Sequence, residues 1–135
     1  MKKQIAILGS TGSIGTQALQ VIEEHPDKYE AYVLTANNRV DELIVQARRF
    51  MPEAVVIANE EKYPKLKEAL ADLPIKVYAG EEAICQIVQE KPVDIVLTAM
   101  VGYAGLRPTI HAIRARKTIA LANKETLVVA GDLIN

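Results

Sequence analysis

Three glycines stand in a turn between an apolar run and a helical pattern, an arrangement suited to binding phosphate. The apolar run Gln4–Leu8 leads into the heptapeptide GSTGSIG at residues 9–15. In such a turn Gly9 permits a tight bend, Gly12 lets the backbone approach a pyrophosphate, and Gly15 lets the helix pack closely on the strand. The N-terminus of the following helix offers free N–H groups and a partial positive charge to the phosphates.

The spacing of the turn, G-x-x-G-x-x-G, differs from the dinucleotide fingerprint G-x-G-x-x-G. It also lacks the lysine of a P-loop, which disfavours a nucleoside triphosphatase. We expect hydroxyl donors from Ser10, Thr11 and Ser13 at the phosphate site. A glycine motif that follows the first strand and opens the first helix favours a dinucleotide; the alternative is a turn that binds no ligand.

The end of the second predicted strand bears on the choice between NAD and NADP. An acidic residue there would bind the ribose 2′-hydroxyl of NAD, whereas an arginine accommodates the 2′-phosphate of NADP. The segment reads Thr35-Ala36-Asn37-Asn38-Arg39 and carries no carboxylate, while Asp41 and Glu42 are expected on the next helix. Arg39 can pair with a phosphate through two hydrogen bonds, so we predict NADPH. The alternative is a solvated surface arginine.

Two later loops are predicted to follow strands, at the edge of the sheet where ligands bind in open parallel sheets. The first, residues 99–105, consists mostly of small residues that would let a cofactor pass close by. The second contains Asn123, an uncharged donor and acceptor, Lys124, a cation able to meet an anionic substrate, and Glu125. Composition alone favours the plainer interpretation, a helix cap followed by a solvated helix start.

Short runs rich in Val, Ile, Leu and Ala alternate with helical patterns along the chain. Continuous apolar runs are typical of parallel strands that are covered on both faces. The predicted strands are Gln4–Leu8, Ala31–Thr35, Ala54–Ile57, Ile75–Tyr78, Asp94–Thr98 and Thr118–Leu121.

Apolar residues at helical spacing lie between these strands, and Glu81–Gln89 can form a further helix. The apolar faces are Ile14, Ala18, Val21 and Ile22; Leu43, Ala47, Phe50 and Met51; Leu66, Ala69, Leu70 and Leu73; and Leu106, Ile110 and Ile113. The β-α alternation predicts an α/β fold: a Rossmann-type, doubly wound, mostly parallel sheet in a three-layer α/β/α arrangement.

Composition indicates an ordinary globular chain. It has 135 residues, with 17 acidic and 16 basic side chains, so neither a nucleic acid nor a membrane is predicted as a partner. The apolar run near the N-terminus is too short for a signal peptide or a membrane span, and a single cysteine fits a reducing compartment. We therefore expect a cytoplasmic protein. Cys85, His25 and His111 are too isolated in sequence to suggest a zinc site.

The C-terminal sequence bears on domain organisation. Lys124–Ile134 has the pattern of an amphipathic helix, yet the sequence stops at Asn135 without a cap. We therefore expect a piece of a longer protein; the alternative is a natural terminus on a frayed helix.

The assembled motifs resemble the 1-deoxy-D-xylulose 5-phosphate reductoisomerase family. The resemblance rests on ILGSTGSIG (Ile7–Gly15) and VGYAGLRPTIHAIRARKTIALANKET (Val101–Thr126), and it extends from Met1 to Asn135. It implies an oxidoreductase of non-mevalonate isoprenoid biosynthesis that converts 1-deoxy-D-xylulose 5-phosphate to 2-C-methyl-D-erythritol 4-phosphate. It also implies NADPH, a divalent metal (Mg²⁺ or Mn²⁺) and a homodimer.

The resemblance assigns roles to individual residues. Lys124 would contact the sugar-phosphate substrate. Cofactor contacts are implied for Gly9, Thr11, Gly12, Ser13, Ile14, Asn37, Asn38, Arg39, Asn123 and Glu125. The sequence departs from the family at Asn37, where glycine is common, at Tyr103, where a small residue is common, and at Thr126, where serine is common.

The resemblance also implies that cofactor binding and catalysis lie in different domains. Residues 1–135 would be the NADPH-binding domain, and the metal ligands, the substrate lid and the catalytic and C-terminal domains would follow it. We therefore assign no catalytic or metal-binding residue to this chain and expect it to bind NADPH without turning over.

Two other functions remain open on the sequence. An aspartate-semialdehyde dehydrogenase-like reductase would require a catalytic cysteine and a histidine in a later domain, and the LANKE segment argues against it. A redox-sensing module would be expected to bind NADH or another nucleotide and to be complete as it stands; Arg39 and the abrupt ending argue against it.

Overall fold

A computed structural model describes residues 2–99 and 106–120. Strands and helices alternate along these residues. In chain order they are β1 (Lys3–Leu8), α1 (Ser13–Glu24), β2 (Tyr29–Ala36), α2 (Val40–Phe50), β3 (Ala54–Ile57), a 3₁₀ turn (Glu60–Lys62), α3 (Tyr63–Ala69), β4 (Lys76–Ala79), α4 (Glu81–Ile87), β5 (Ile95–Thr98), α5 (Leu106–Arg114) and β6 (Thr118–Ala120).

The strands described form one parallel sheet in the order β4-β3-β2-β1-β5-β6. The chain winds outward from β1 to β4, then returns past β1 to β5 and β6. The direction of winding therefore reverses between β1 and β5, which is where open α/β sheets bind ligands. The predicted Rossmann-type fold is confirmed.

Both faces of the sheet are covered, as the continuous apolar runs predict. Successive residues of β1 point to opposite faces: Ile5 and Ile7 pack in the cluster that includes α1, α2 and α3, whereas Ala6 and Leu8 pack with α4 and α5. All four are completely buried. A strand buried on both sides cannot alternate between apolar and polar residues, and the result is a three-layer α/β/α arrangement.

The predicted strands are found with small shifts at their ends. β2 begins earlier, at Tyr29, β4 covers Lys76–Ala79, and β5 begins at Ile95. Leu121 and the predicted helix Lys124–Ile134 lie outside the described residues. Within the part of the chain that the structure describes, no helix combines the length and apolar character needed to cross a membrane.

The predicted helix with Leu106, Ile110 and Ile113 on one face is found as α5, but that face is exposed. Leu106, Ile110 and Ile113 are 48%, 38% and 58% exposed, while Pro108 and Ala112 are buried. α5 contacts α4 through polar side chains. Arg107 pairs with Glu81 and Glu82, and His111 Nδ1 lies 3.2 Å from Gln89 Nε2. The polar flank of α5 thus faces α4, and its apolar stripe is exposed.

Met51, predicted on the apolar face of α2, instead ends that helix. It adopts a left-handed conformation with φ 49° and is 46% exposed. Asp41 and Glu42 lie in the first turn of α2, as expected.

Candidate functional site

The glycine turn joins the C-terminal end of β1 to α1 and is bonded to the neighbouring strand. Gly9 has φ 87°, a conformation that favours glycine. Its N–H lies 3.2 Å from the carbonyl oxygen of Thr35 and 3.1 Å from Oγ1 of the same residue. The N–H of Ser10 donates to the same carbonyl at 2.8 Å. The buried end of β2 therefore fixes the start of the turn.

Gly12 and Gly15, the other two glycines of the turn, differ in whether the fold leaves room for a side chain. A β-carbon added at Gly15 would lie 2.2 Å from the carbonyl oxygen of Gly9 and 2.7 Å from Cα of Ser10. Glycine is therefore required at position 15 for α1 to pack against the turn. A β-carbon added at Gly12 would meet only the Gly9 carbonyl, at an ordinary 3.8 Å. Packing therefore does not require glycine at position 12, and the space around it is open.

The N-terminus of α1 presents its backbone amides at this open position. Gly12 is the N-cap, with φ −76° and ψ 171°, and it offers no side chain to bond the amides of the first turn. The first N–H groups of a helix have no partner within the helix. Thr11 and Gly12 are half-buried and Ser13 is exposed. The amides are thus arranged to receive an anion such as the pyrophosphate of a dinucleotide.

Ser10 does not act as the expected phosphate donor. It is completely buried, and its hydroxyl donates to Oε1 of Gln46 at 2.7 Å. Of the three predicted hydroxyl donors, only those of Thr11 and Ser13 remain candidates. Ile14, which the family resemblance also implied, is half-buried in the first turn of α1.

Arg39 lies across the loop after β2, next to the glycine turn. Its Nη1 is 3.4 Å from the carbonyl oxygen of Thr11, and its side chain is 66% exposed. Its Nε is 3.6 Å from Oε2 of Glu42. The structure therefore brings together the predicted phosphate turn and the predicted arginine, with one carboxylate beside the guanidinium.

Asn37 and Asn38 are both exposed in the same loop, and Asn59 holds them. The Asn59 N–H donates to the Asn37 carbonyl at 3.0 Å, and Nδ2 of Asn59 donates to Asn38 Oδ1 at 2.8 Å. Among the described non-glycine residues only Met51 and Arg116 have positive φ, so Asn37 does not need to be glycine here.

Asn59 was missed by sequence reasoning. Its Oδ1 accepts from the Glu61 N–H at 3.0 Å and so caps the 3₁₀ turn after β3. The available signal was an asparagine at the end of a strand and just before a helical stretch, a common capping position. Its second role, toward the loop after β2, depends on the pairing of β2 with β3.

Several predicted residues lie outside the described part of the chain. They are Asn123, Lys124, Glu125, Tyr103 and Thr126. Cys85 is buried, as expected, and burial raises the pKa of its thiol. Among residues 2–99 and 106–120, no group of three or more His, Cys, Asp or Glu side chains could hold a metal ion.

A parallel sheet with helices on both faces, together with a glycine turn that opens a helix at its reversal point, defines a Rossmann-type α/β domain. Residues 5–131 match the family model of 1-deoxy-D-xylulose 5-phosphate reductoisomerase, and the chain belongs to that family. The 1-deoxy-D-xylulose 5-phosphate reductoisomerase of Bacteroides thetaiotaomicron is 83% identical over 134 residues, 99% of this chain and 34% of that protein. The chain thus spans about a third of the length of the curated relatives it matches.

Solved structures of the family show the same fold. The Zymomonas mobilis reductoisomerase in complex with NADPH is 42% identical with a TM-score of 0.85, and the match covers 98% of this chain and 35% of that one. A reductoisomerase in complex with NADPH, fosmidomycin and magnesium is 41% identical with a TM-score of 0.85, over 98% and 33% of the two chains. The family assignment argues against the alternative of an aspartate-semialdehyde dehydrogenase-like protein.

Proposed function

We propose that this chain binds NADPH, with the pyrophosphate on the N-terminus of α1 and the adenosine 2′-phosphate beside Arg39. One observation carries the proposal: the open position at Gly12, with its uncapped helix amides, lies beside an exposed arginine that contacts Thr11. A binding site for NADH alone would need an acidic residue at the end of β2, where this chain has Asn37 and Asn38.

The residues of this chain would bind and orient the cofactor. The amides of the first turn of α1 would donate to the pyrophosphate, with added donors from the hydroxyls of Thr11 and Ser13. Arg39 would neutralise the 2′-phosphate, and Asn38, held by Asn59, would line the adenosine end. When bound, NADPH supplies a hydride for the reduction of a carbonyl group.

We further propose that the chain is the nucleotide-binding domain, residues 1–135, of a longer reductoisomerase. The family membership and the share of each relative covered support this proposal. That protein would convert 1-deoxy-D-xylulose 5-phosphate to 2-C-methyl-D-erythritol 4-phosphate. Lys124 would contact its substrate, Asn123 and Glu125 its cofactor, and ligands outside this chain would hold Mg²⁺ or Mn²⁺. We expect it to be a cytoplasmic homodimer and the present chain alone to be inactive.

Calorimetric titration of the chain with NADPH and with NADH tests the proposal. We expect preferential binding of NADPH, and we expect Arg39→Gln to reduce that preference by about tenfold or more, since a charge-assisted bond to the 2′-phosphate is lost. Arg49→Gln is the matched control, because Arg49 is similarly exposed (64%) but pairs with Glu23 on α1. Its effect on either ligand should be small.

The outcomes separate the parts of the proposal. Equal affinity for NADPH and NADH would refute the role of Arg39, and no binding of either would refute the phosphate site. Turnover of 1-deoxy-D-xylulose 5-phosphate by the chain alone would contradict the expected inactivity.

A further inference from the structure

Gln46, on α2, makes a reciprocal pair of hydrogen bonds with Ser10 of the glycine turn. Its Oε1 accepts from the Ser10 hydroxyl at 2.7 Å, and its Nε2 donates to the Ser10 carbonyl oxygen at 2.9 Å. Because one planar amide bonds two atoms of one residue, both the distance and the orientation of that residue are fixed. The residues are 36 positions apart, so the contact depends on the fold.

Ser10 is held from its other side by β2. Its N–H donates to the Thr35 carbonyl at 2.8 Å, and its hydroxyl oxygen lies 3.3 Å from the same carbonyl oxygen. Both Ser10 and Thr35 are completely buried. Two elements therefore hydrogen-bond to the first half of the turn: β2 through Thr35 and α2 through Gln46. In the second half, Ser13 is exposed and Thr11 and Gly12 are half-buried.

We propose that Gln46 is a positioning residue for the dinucleotide: through Ser10 it holds the glycine turn so that the amides after Thr11 point at the pyrophosphate. This inference rests on the proposed function. A turn that is ordered before binding loses less conformational entropy when the ligand arrives, so preorganisation appears as affinity. Gln46 itself need not touch the cofactor.

The chemistry of the amide suits this role. Its N–H donates to the Ser10 carbonyl oxygen and its oxygen accepts from the Ser10 hydroxyl, so both polar groups of the amide are hydrogen-bonded without a charge. A carboxylate at this position would face the Ser10 carbonyl oxygen without a proton to donate, and it would add negative charge near the pyrophosphate. Glutamine therefore differs here from a glutamate of the same length.

Two variants test the proposal by binding in the 135-residue chain. Gln46→Met keeps the length of the side chain but removes both hydrogen bonds. Gln46→Glu keeps one acceptor, loses the donor and adds a charge. Gln89→Met is the matched control, because Gln89 bonds the Cys85 carbonyl at 2.8 Å on the opposite face of the sheet. Urea unfolding reports the stability of each variant.

Two ligands distinguish positioning from general damage. NADPH engages the turn through its pyrophosphate, whereas adenosine 2′-monophosphate carries only the 2′-phosphate and so reaches Arg39 without the pyrophosphate. We expect Gln46→Met to weaken NADPH about tenfold, the loss typical of one or two hydrogen bonds. We expect it to leave adenosine 2′-monophosphate within about twofold of the original chain. Gln46→Glu should weaken NADPH further, and Gln89→Met should change neither ligand.

Each outcome decides the inference. NADPH binding unchanged in Gln46→Met and Gln46→Glu overturns it, as does an equal loss for both ligands. If Gln46→Met does not fold, the same comparison with Gln46→Asn decides, because the shorter amide loses the reach to Ser10 without adding a charge. If the unsubstituted chain binds no NADPH, the proposed function fails and the inference fails with it, which is a separate result from failure in the variants alone.

Discussion

A β-carbon built on Gly15 would stand 2.2 Å from the carbonyl oxygen of Gly9, because α1 rests directly on the backbone of the turn that precedes it. This contact fixes where the helix begins, and with it the direction of its N-terminal amides. Gly12, only three residues earlier, has free space around it. The turn therefore separates a position that the fold requires from a position left open to a ligand.

Gly15→Ala should destabilise the fold. The new methyl group meets backbone atoms that cannot rotate away, and we expect a loss of about 2–3 kcal/mol in the free energy of unfolding, the range for overpacked positions. The loss should exceed the gain from the better helix propensity of alanine. Urea unfolding followed by circular dichroism measures it. Gln20→Ala, at an exposed position of the same helix, is the control and should cost little.

Gly12→Asp should separate stability from binding. Aspartate is a favoured N-cap and its charge suits a helix N-terminus, so the free energy of unfolding should stay the same or rise by up to about 1 kcal/mol. The same carboxylate would bond the amides meant for the pyrophosphate and repel its charge. We expect NADPH binding to fall by at least about a hundredfold.

Gln20→Asp controls for the added charge in that experiment, because it places the same carboxylate on an exposed position of α1. It should retain NADPH affinity. Calorimetry and urea unfolding on the same samples give both quantities. Full NADPH affinity in Gly12→Asp would contradict the placement of the pyrophosphate.

Glu42→Gln should strengthen NADPH binding. Glu42 Oε2 lies 3.6 Å from Nε of Arg39 and competes with a phosphate for that guanidinium. The pair is exposed, so its removal should improve NADPH affinity by up to about fivefold, with NADH unchanged. Asp41→Asn is the control, because Asp41 pairs with Lys65 at 2.8 Å instead. Both ligands would be titrated at low and high salt, and the gain should shrink as salt increases.

Glu82→Gln should lower stability at neutral pH and have no such effect in acid. Hydrogen bonding from Arg107, together with its charge, holds the pKa of the Glu82 carboxyl below its ordinary value of 4.5. A carboxyl whose pKa is lowered by folding stabilises the protein above its unfolded pKa, and this stabilisation is lost as pH falls through the folded-state pKa. The original chain and Glu82→Gln should therefore have the same stability below that pKa, apart from effects that do not depend on pH.

Thermal unfolding as a function of pH measures this difference. The same substitution in an Arg107→Gln background is the control and should show no pH-dependent difference of this kind. A difference that persists in strong acid would mean that packing between α4 and α5, rather than the ion pair, stabilises their contact.

The sequence by itself determined the fold class and the glycine turn that we propose to bind phosphate. Continuous apolar runs such as Ile5–Leu8 specify strands buried on both faces, because a polar residue in such a strand would lose water on either side. Likewise, glycine is needed at positions 9 and 15 for local reasons, a positive φ at Gly9 and a close backbone contact at Gly15. Because both residues lie between a predicted strand and a predicted helix, the sequence indicates this need. Arg39 could be predicted for a similar reason, since it closely follows the end of a predicted strand.

Only the tertiary structure decided which distant residues support that turn. Ser10 carries a hydroxyl suited to a phosphate donor, yet it is buried and bonds Gln46, which the packing of α2 on β2 brings to the turn. Asn59 reaches Asn38 because β3 pairs with β2 in one register. α5 presents Arg107 to α4 and leaves its apolar stripe exposed, an orientation that only the assembled fold shows. Helical spacing shows which residues share a face, but the direction of that face depends on neighbours far away in sequence.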